Sequence, residues 1–60
     1  MFEMPYYRVY LDKVVKRFVY KQIKQVSDMI YSDMQLAPVE QFKTRNEAKA
    51  YVIERNGLTQ

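Results

Sequence analysis

The sequence predicts a small α+β domain, on three observations. Tyr6–Leu11 mixes aromatic and aliphatic residues in the manner of a strand. The stretch from Leu11 to Met34 contains neither Gly nor Pro and carries apolar residues at helical spacing. Thr44-Arg45-Asn46-Glu47 opens a C-terminal helix and Asn56-Gly57 closes it. The expected order is N-terminal strand, long central amphipathic helix, short strand and capped C-terminal helix. It forms one domain over residues 1–60, with 1–4 and 58–60 frayed.

Pro5 suits the start of a strand and not its middle. In Tyr6–Leu11 the side chains of Tyr7, Val9 and Leu11 face one way. Tyr6, Arg8 and Tyr10 face the other, and that face is amphipathic enough to stay wet.

At about 100° per residue the central stretch is two-faced. Leu11, Val14, Val15, Phe18, Val19, Ile23, Val26, Met29 and Ile30 fall on one side. Lys13, Lys16, Arg17, Tyr20, Lys21, Lys24, Asp28 and Tyr31 fall on the other, and Gln22 and Asp33 are misfits on the apolar side. This places a helix over Lys13–Met34 with Asp12 as N-cap. Its charges oppose the macrodipole: Lys13, Lys16 and Arg17 lie near the positive end, Asp28 and Asp33 near the negative end. That costs a few tenths of a kcal/mol per exposed charge, roughly, whereas burying one large apolar side chain gives roughly 1.5–3 kcal/mol.

The alternative is a hairpin or meander. Tyr6–Leu11 turns near Asp12–Lys13, returns along Lys16–Gln25, and turns again at Ser27–Asp28. β-Branched and aromatic residues favour it. Against it stand the poor alternation and the absence of Gly or Asn for a turn at positive φ between Met1 and Gln41.

The helix must end by Ala37, because Pro38 disfavours the α conformation there. Val39–Phe42 is a short extended segment able to pair with Tyr6–Leu11. In the last helix Thr44 and Glu47 cap each other. Ala48, Tyr51, Val52 and Ile53 face inward, Arg55 suits the last turn, and Gly57 takes the left-handed stop with Leu58 touching Ile53.

Composition narrows the function. Sixty residues with 48% apolar content, six Tyr and three Phe make a self-contained but marginal core. With no Cys and no His there is no disulfide, no usual zinc ligand set, no thiolate and no imidazole base. Ser27 and Ser32 have no base nearby. Asp28, Asp33 and Glu40 lack the same-face spacing of a carboxylate pair, and no Gly-rich phosphate loop occurs. The expectation is a non-enzyme without cofactor or metal. The absence of a signal peptide and of a membrane span leads to a cytoplasmic expectation.

The net charge of +3 is uneven. Residues 1–26 hold Arg8, Lys13, Lys16, Arg17, Lys21 and Lys24 against only Glu3 and Asp12. This basic front, with Tyr6, Tyr10 and Tyr20 beside it, leads to the main expectation: a small non-catalytic regulator, inhibitor or adaptor. It would dock on an acidic protein surface through Tyr6, Arg8, Tyr10, Lys13, Arg17, Tyr20, Lys21 and Lys24. The alternative is direct nucleic-acid binding by the same face, with bases stacked on the tyrosines. A second alternative is a structural subunit completed by homo-oligomerisation. Lys43 and Arg45 flank the start of the last helix, where an anion could also sit.

Overall fold

The computed structural model describes residues 3–58. Strand β1 (Tyr6–Asp12) is followed by β2 (Arg17–Ile23), α1 (Val26–Gln35), β3 (Ala37–Phe42) and α2 (Arg45–Leu58). The class is α+β, as expected, with three antiparallel strands in the order β2-β1-β3. β1 runs antiparallel to both neighbours, so β2 and β3 are parallel to each other and α1 carries the chain between them across one sheet face.

Strand alternation assigns the two faces. Tyr6, Arg8 and Tyr10 lie beneath α1: the Tyr6 hydroxyl donates to Met29 Sδ, and Arg8 donates to Asp33. Val9, Phe18 and Phe42 lie on the opposite face under α2, where Tyr51 packs against the rings of Phe18 and Phe42 at centroid distances of 6.4 and 5.5 Å. With a helix on each face, β1 is buried on both sides. Val9 and Tyr10 have no exposed surface, and Tyr6, Ile23 and Ala48 complete the buried set. The Tyr6/Arg8/Tyr10 face, expected to stay wet, is therefore covered by α1.

The long central helix requires correction. Only Val26–Gln35 is helical, and Arg17–Ile23 is a strand paired with β1 from Asp12↔Arg17 to Tyr6↔Ile23. The hairpin alternative holds for the first half of the stretch and the helix for the second. Poor alternation is no obstacle, because a strand covered on both faces places apolar residues on both. Phe18 and Tyr20 serve the α2 side, Val19 and Ile23 the α1 side.

The turn needs no glycine. Lys16 adopts the left-handed conformation at φ 57°, at a cost of about 1–2 kcal/mol. Asp12 offsets it: its Oδ1 accepts from the N–H of Val14 at 3.0 Å and of Val15 at 3.4 Å. Asp12 thus caps a hairpin turn, not a helix.

The dipole conflict shrinks to Asp33, which stays in the last turn of α1 and is compensated there by Arg8. Lys13, Lys16 and Arg17 sit on the hairpin, while Asp28 lies in the first turn of α1, where negative charge is favourable. Its Oδ2 accepts from the N–H groups of Lys24 and Gln25 at 3.0 and 3.2 Å.

β3 begins one residue before Pro38, which pairs opposite Tyr10. A register shift between Val9 and Tyr10 leaves Val39 as the extra residue, the bulge that an edge strand with Pro tolerates. In α2 the Glu47 N–H donates to Thr44 Oγ1 at 3.3 Å, as expected. Glu47 Oε1 accepts from the Thr44 hydroxyl at 2.9 Å, in place of the backbone N–H of Thr44.

The stop at Gly57 is not used, since α2 runs on to Leu58 and no glycine has positive φ. Asn56 explains this. Its Oδ1 accepts from the Phe18 N–H at 2.7 Å and its Nδ2 donates to the Phe18 carbonyl at 3.0 Å, so the last turn must stay helical to aim it at β2. Ile53 points outward and is exposed. The contact expected from Leu58, and the fraying expected at 1–2 and 59–60, lie outside the described side chains and residues.

Lys16→Gly is expected to raise stability by about 1 kcal/mol, and Asp12→Ala to lower it by about 1 kcal/mol, in urea unfolding. Asn56→Ala, which strands both backbone groups of Phe18, is expected to cost about 1–3 kcal/mol by the same measurement.

Candidate interaction surface

The surface is set by how α1 is fastened. Arg8 Nε and Nη2 donate to the two carboxylate oxygens of Asp33, each at 3.1 Å, and Nη1 donates to Gln41 Oε1 at 2.9 Å. One side chain on the central strand thereby ties α1 to β3. The forked pair is stronger than a single ionic contact and fixes orientation as well. Burial opposes ionisation of both partners. Their hydrogen bonds and opposite charge outweigh it, holding the Asp33 carboxyl below its ordinary value and Arg8 above its own.

Tyr10 lies beside this pair. Its hydroxyl is buried and completes no hydrogen bond. Burial first, and the Asp33 carboxylate second, push its pKa up to about 12.

With Met29 and Asp33 held against the sheet, the flank of α1 beside them stays uncovered. Val26, Ile30 and Met34, at i, i+4 and i+8, form an exposed ridge with Tyr31 beside it. Their exposures run from 51% at Val26 to 80% at Met34. α1 has no fully buried residue. The ridge continues onto the hairpin tip through an open cleft of about 320 Å³, where Met34 and Leu36 face Val14, which is 91% exposed. A second open cleft of about 380 Å³ separates α1 from the end of β2, with Tyr31 and Ser32 on one wall and Lys21 and Lys24 on the other.

The basic residues divide. Lys13 and Lys16 are exposed on the turn, and Arg17 and Lys21 on the α1 side of β2, about 13 Å apart along the strand. Lys24 follows the strand end. The single ion pair among the described residues is Arg8–Asp33, so none of these five cations is ion-paired, with Asp12 opposite Arg17 in the ladder and Asp28 in the cleft of Lys21 and Lys24.

Among the residues expected to contact a partner, Lys13, Arg17, Lys21 and Lys24 are thus brought to one side. Tyr6 and Tyr10 are core and Arg8 is committed to Asp33. Tyr20 is half-buried on the opposite sheet face, edge-on to Tyr7 at 6.3 Å and beside Arg45, whose Nε donates to its hydroxyl at 3.4 Å. The hydroxyl and its charge raise the pKa of Arg45.

Sequence reasoning assigned Val14, Val26 and Ile30 to the core and did not single out Met34 or Tyr31. The available signal was Asp33: a carboxylate among apolar residues marks the side of α1 that faces a cation.

The acidic residues are used separately. Asp28 caps α1, Asp33 holds Arg8, and Glu40 accepts from the Gln41 N–H. Among the described residues no group of three or more His, Cys, Asp or Glu could hold a metal ion, and no helix is long and apolar enough to cross a membrane. Comparison of the chain with protein-family models, with curated proteins and with solved structures gives no match.

Asp33→Asn is expected to cost about 1.5–3 kcal/mol, the range for a charged hydrogen-bonded group deprived of its partner. Asp33 contributes stability above the ordinary carboxyl pKa that is lost as pH falls through its lowered folded value. The Tyr10 contribution is complete below the ordinary tyrosine pKa of 10.0 and is lost as pH rises to about 12. Tyr10→Phe is expected to be neutral or stabilising at pH 7, by up to about 1 kcal/mol, and to flatten this alkaline limb in melts across the two pH ranges.

Proposed function

We propose that this chain is a non-catalytic docking protein, a small regulator, inhibitor or adaptor, and that its partner is a larger protein presenting an acidic surface. The supporting observation is the exposed ridge Val26, Ile30 and Met34, continuous with Val14 and bordered by unpaired Lys13, Lys21 and Lys24. Exposed apolar patches of this kind mark binding surfaces. The lysines supply steering and exclude basic partners, and the apolar ridge supplies the contact area.

A second reading, nucleic-acid binding, draws on the row of cations from the hairpin tip along β2. It loses the stacking surface assumed for it, because Tyr6 and Tyr10 are buried and helices cover both sheet faces. What is left is contact with phosphates and the separate rings of Tyr31 and Tyr20, which lie on different faces. Self-association along the ridge brings together two chains of net charge +3, which charge repulsion opposes.

Capture of partners on immobilised protein, followed by mass spectrometry, tests the proposal. Capture is expected to survive nuclease and to fall about ten-fold for Ile30→Asp and for Lys21→Glu/Lys24→Glu, both of which alter exposed positions and keep the fold. Nuclease-sensitive capture overturns this reading in favour of the second. So does duplex binding whose log–log salt slope lies near −3 to −4, about four phosphate contacts. A dimer in sedimentation that dissociates on Ile30→Asp assigns the ridge to self-association.

A further inference from the structure

Backbone groups on the β2 edge complete a feature that the side chains alone do not show. Phe18 sits opposite Leu11 in the ladder, yet both its backbone groups point away from β1, to Asn56. Antiparallel alternation then turns the N–H and C=O of Tyr20 and Gln22 outward as well. No hydrogen bond within the described residues reaches them. β2 therefore offers two open rungs, about 7 Å apart, and Asn56 closes the strand at the third.

The other edge of the sheet is obstructed. β3 carries Pro38 and a bulge at Val39, and the outward N–H of Gln41 is already held by Glu40 at 3.1 Å. β2 has neither proline nor bulge.

Cations flank the open rungs on both faces. Lys21 and Lys24 line the cleft of about 380 Å³ on the α1 side, with Tyr31 as its apolar wall. Arg45 stands beside Tyr20 on the α2 side. Asp28 also lines this cleft, with its Oδ2 turned to the backbone N–H groups of Lys24 and Gln25, so the two lysines outnumber the one acid there.

From this we infer that β2 accepts an extended acidic segment of a partner protein as a fourth strand. The segment's main chain bonds to Tyr20 and Gln22. Its acidic side chains meet Lys21 and Lys24 on one face and Arg45 on the other, and an apolar side chain lies against Tyr31. This is strand addition to a free sheet edge, in which backbone bonds give affinity and alternate side chains give specificity. It rests on the docking reading above and adds the form and charge of what docks.

A blocked seven-residue peptide, Glu-Val-Val-Glu-Glu-Val-Glu, which carries Glu and Val on both faces when extended, is the probe, titrated into the ¹⁵N-labelled chain. The expected result is a shift and slowed exchange of the Tyr20 and Gln22 amides, and no binding of the matching Lys/Val peptide. Gln22→Pro removes one outward N–H without removing a ladder bond, and edge strands tolerate proline there. It is expected to weaken the peptide about ten-fold, the loss of one hydrogen bond, relative to Gln22→Ala, which equally lacks the side-chain bond to Tyr7. Lys21→Glu/Lys24→Glu is expected to abolish binding, and it carries the test if the proline variant loses its native amide spectrum.

Equal affinity of the proline and alanine variants overturns the inference. So does a dissociation constant weaker than about 1 mM for the wild-type chain. Shifts confined to Val26, Ile30 and Met34 overturn strand addition while leaving docking on the ridge intact. A single-stranded oligonucleotide that shifts the same amides equally in both Gln22 variants overturns both readings in favour of nucleic acid.

Discussion

The forked pair between Arg8 and Asp33 fastens α1 to the central strand, and much of the molecule's surface depends on that. α1 is only ten residues long and has no fully buried side chain. Hydrophobic burial alone would draw Ile30 and Met34 further inward, since each large apolar side chain removed from water gives roughly 1.5–3 kcal/mol. Instead a guanidinium on the central strand, fixed also by Gln41 on β3, requires a carboxylate above it. Losing that carboxylate would leave a part-buried guanidinium without its forked partner, and the same orientation keeps Met29 against Tyr6. Asp33 faces in, and the ridge faces out.

Coverage of both sheet faces has a second consequence. With α1 over one face and α2 over the other, the aromatic residues of β1 become core and leave the surface. What β2 presents to solvent is its edge: a line of lysine and arginine side chains and a short run of outward backbone groups. Asn56 acts there as a one-residue substitute strand, satisfying both polar groups of Phe18. Natural edge strands are commonly closed by charge, bulge or proline. β3 uses all these devices and β2 only the first, so the two edges differ in their capacity to pair.

These features converge on one side of the chain. The hairpin tip, the β2 edge and the outward ridge of α1 are three elements brought together by one crossover. Each is weak evidence of binding when taken alone. A lysine row keeps a small protein soluble, an exposed valine is ordinary, and free edge groups hydrate. Their adjacency across the clefts at Tyr31 and Met34 gives the docking reading its physical content: apolar area at the centre, like charge at the rim, directional hydrogen bonds along one border.

Local chemistry was legible where it is short-range. The α+β class, the strand Tyr6–Leu11, the extended segment before Phe42, the Thr44/Glu47 cap and the end of α1 ahead of Pro38 all follow from residues within a few positions of each other, whose dihedral preferences and hydrogen bonds need no distant partner. The macrodipole conflict of a single helix over Lys13–Met34 was also visible, and dividing the stretch removes it for all but Asp33, which Arg8 compensates. Tertiary structure alone decided the rest. Lys16 accepts a left-handed conformation because the whole β1–β2 ladder and the Asp12 cap outweigh a local cost of one or two kcal/mol, roughly. Asn56 stays helical and Gly57 goes unused because Phe18, far away in sequence, needs its amide. The outward face of α1 depends on Arg8, 25 residues distant from Asp33. Periodicity identifies that a helix has two faces, but which face is buried is fixed by the partner it meets, and that partner is chosen only when the chain closes.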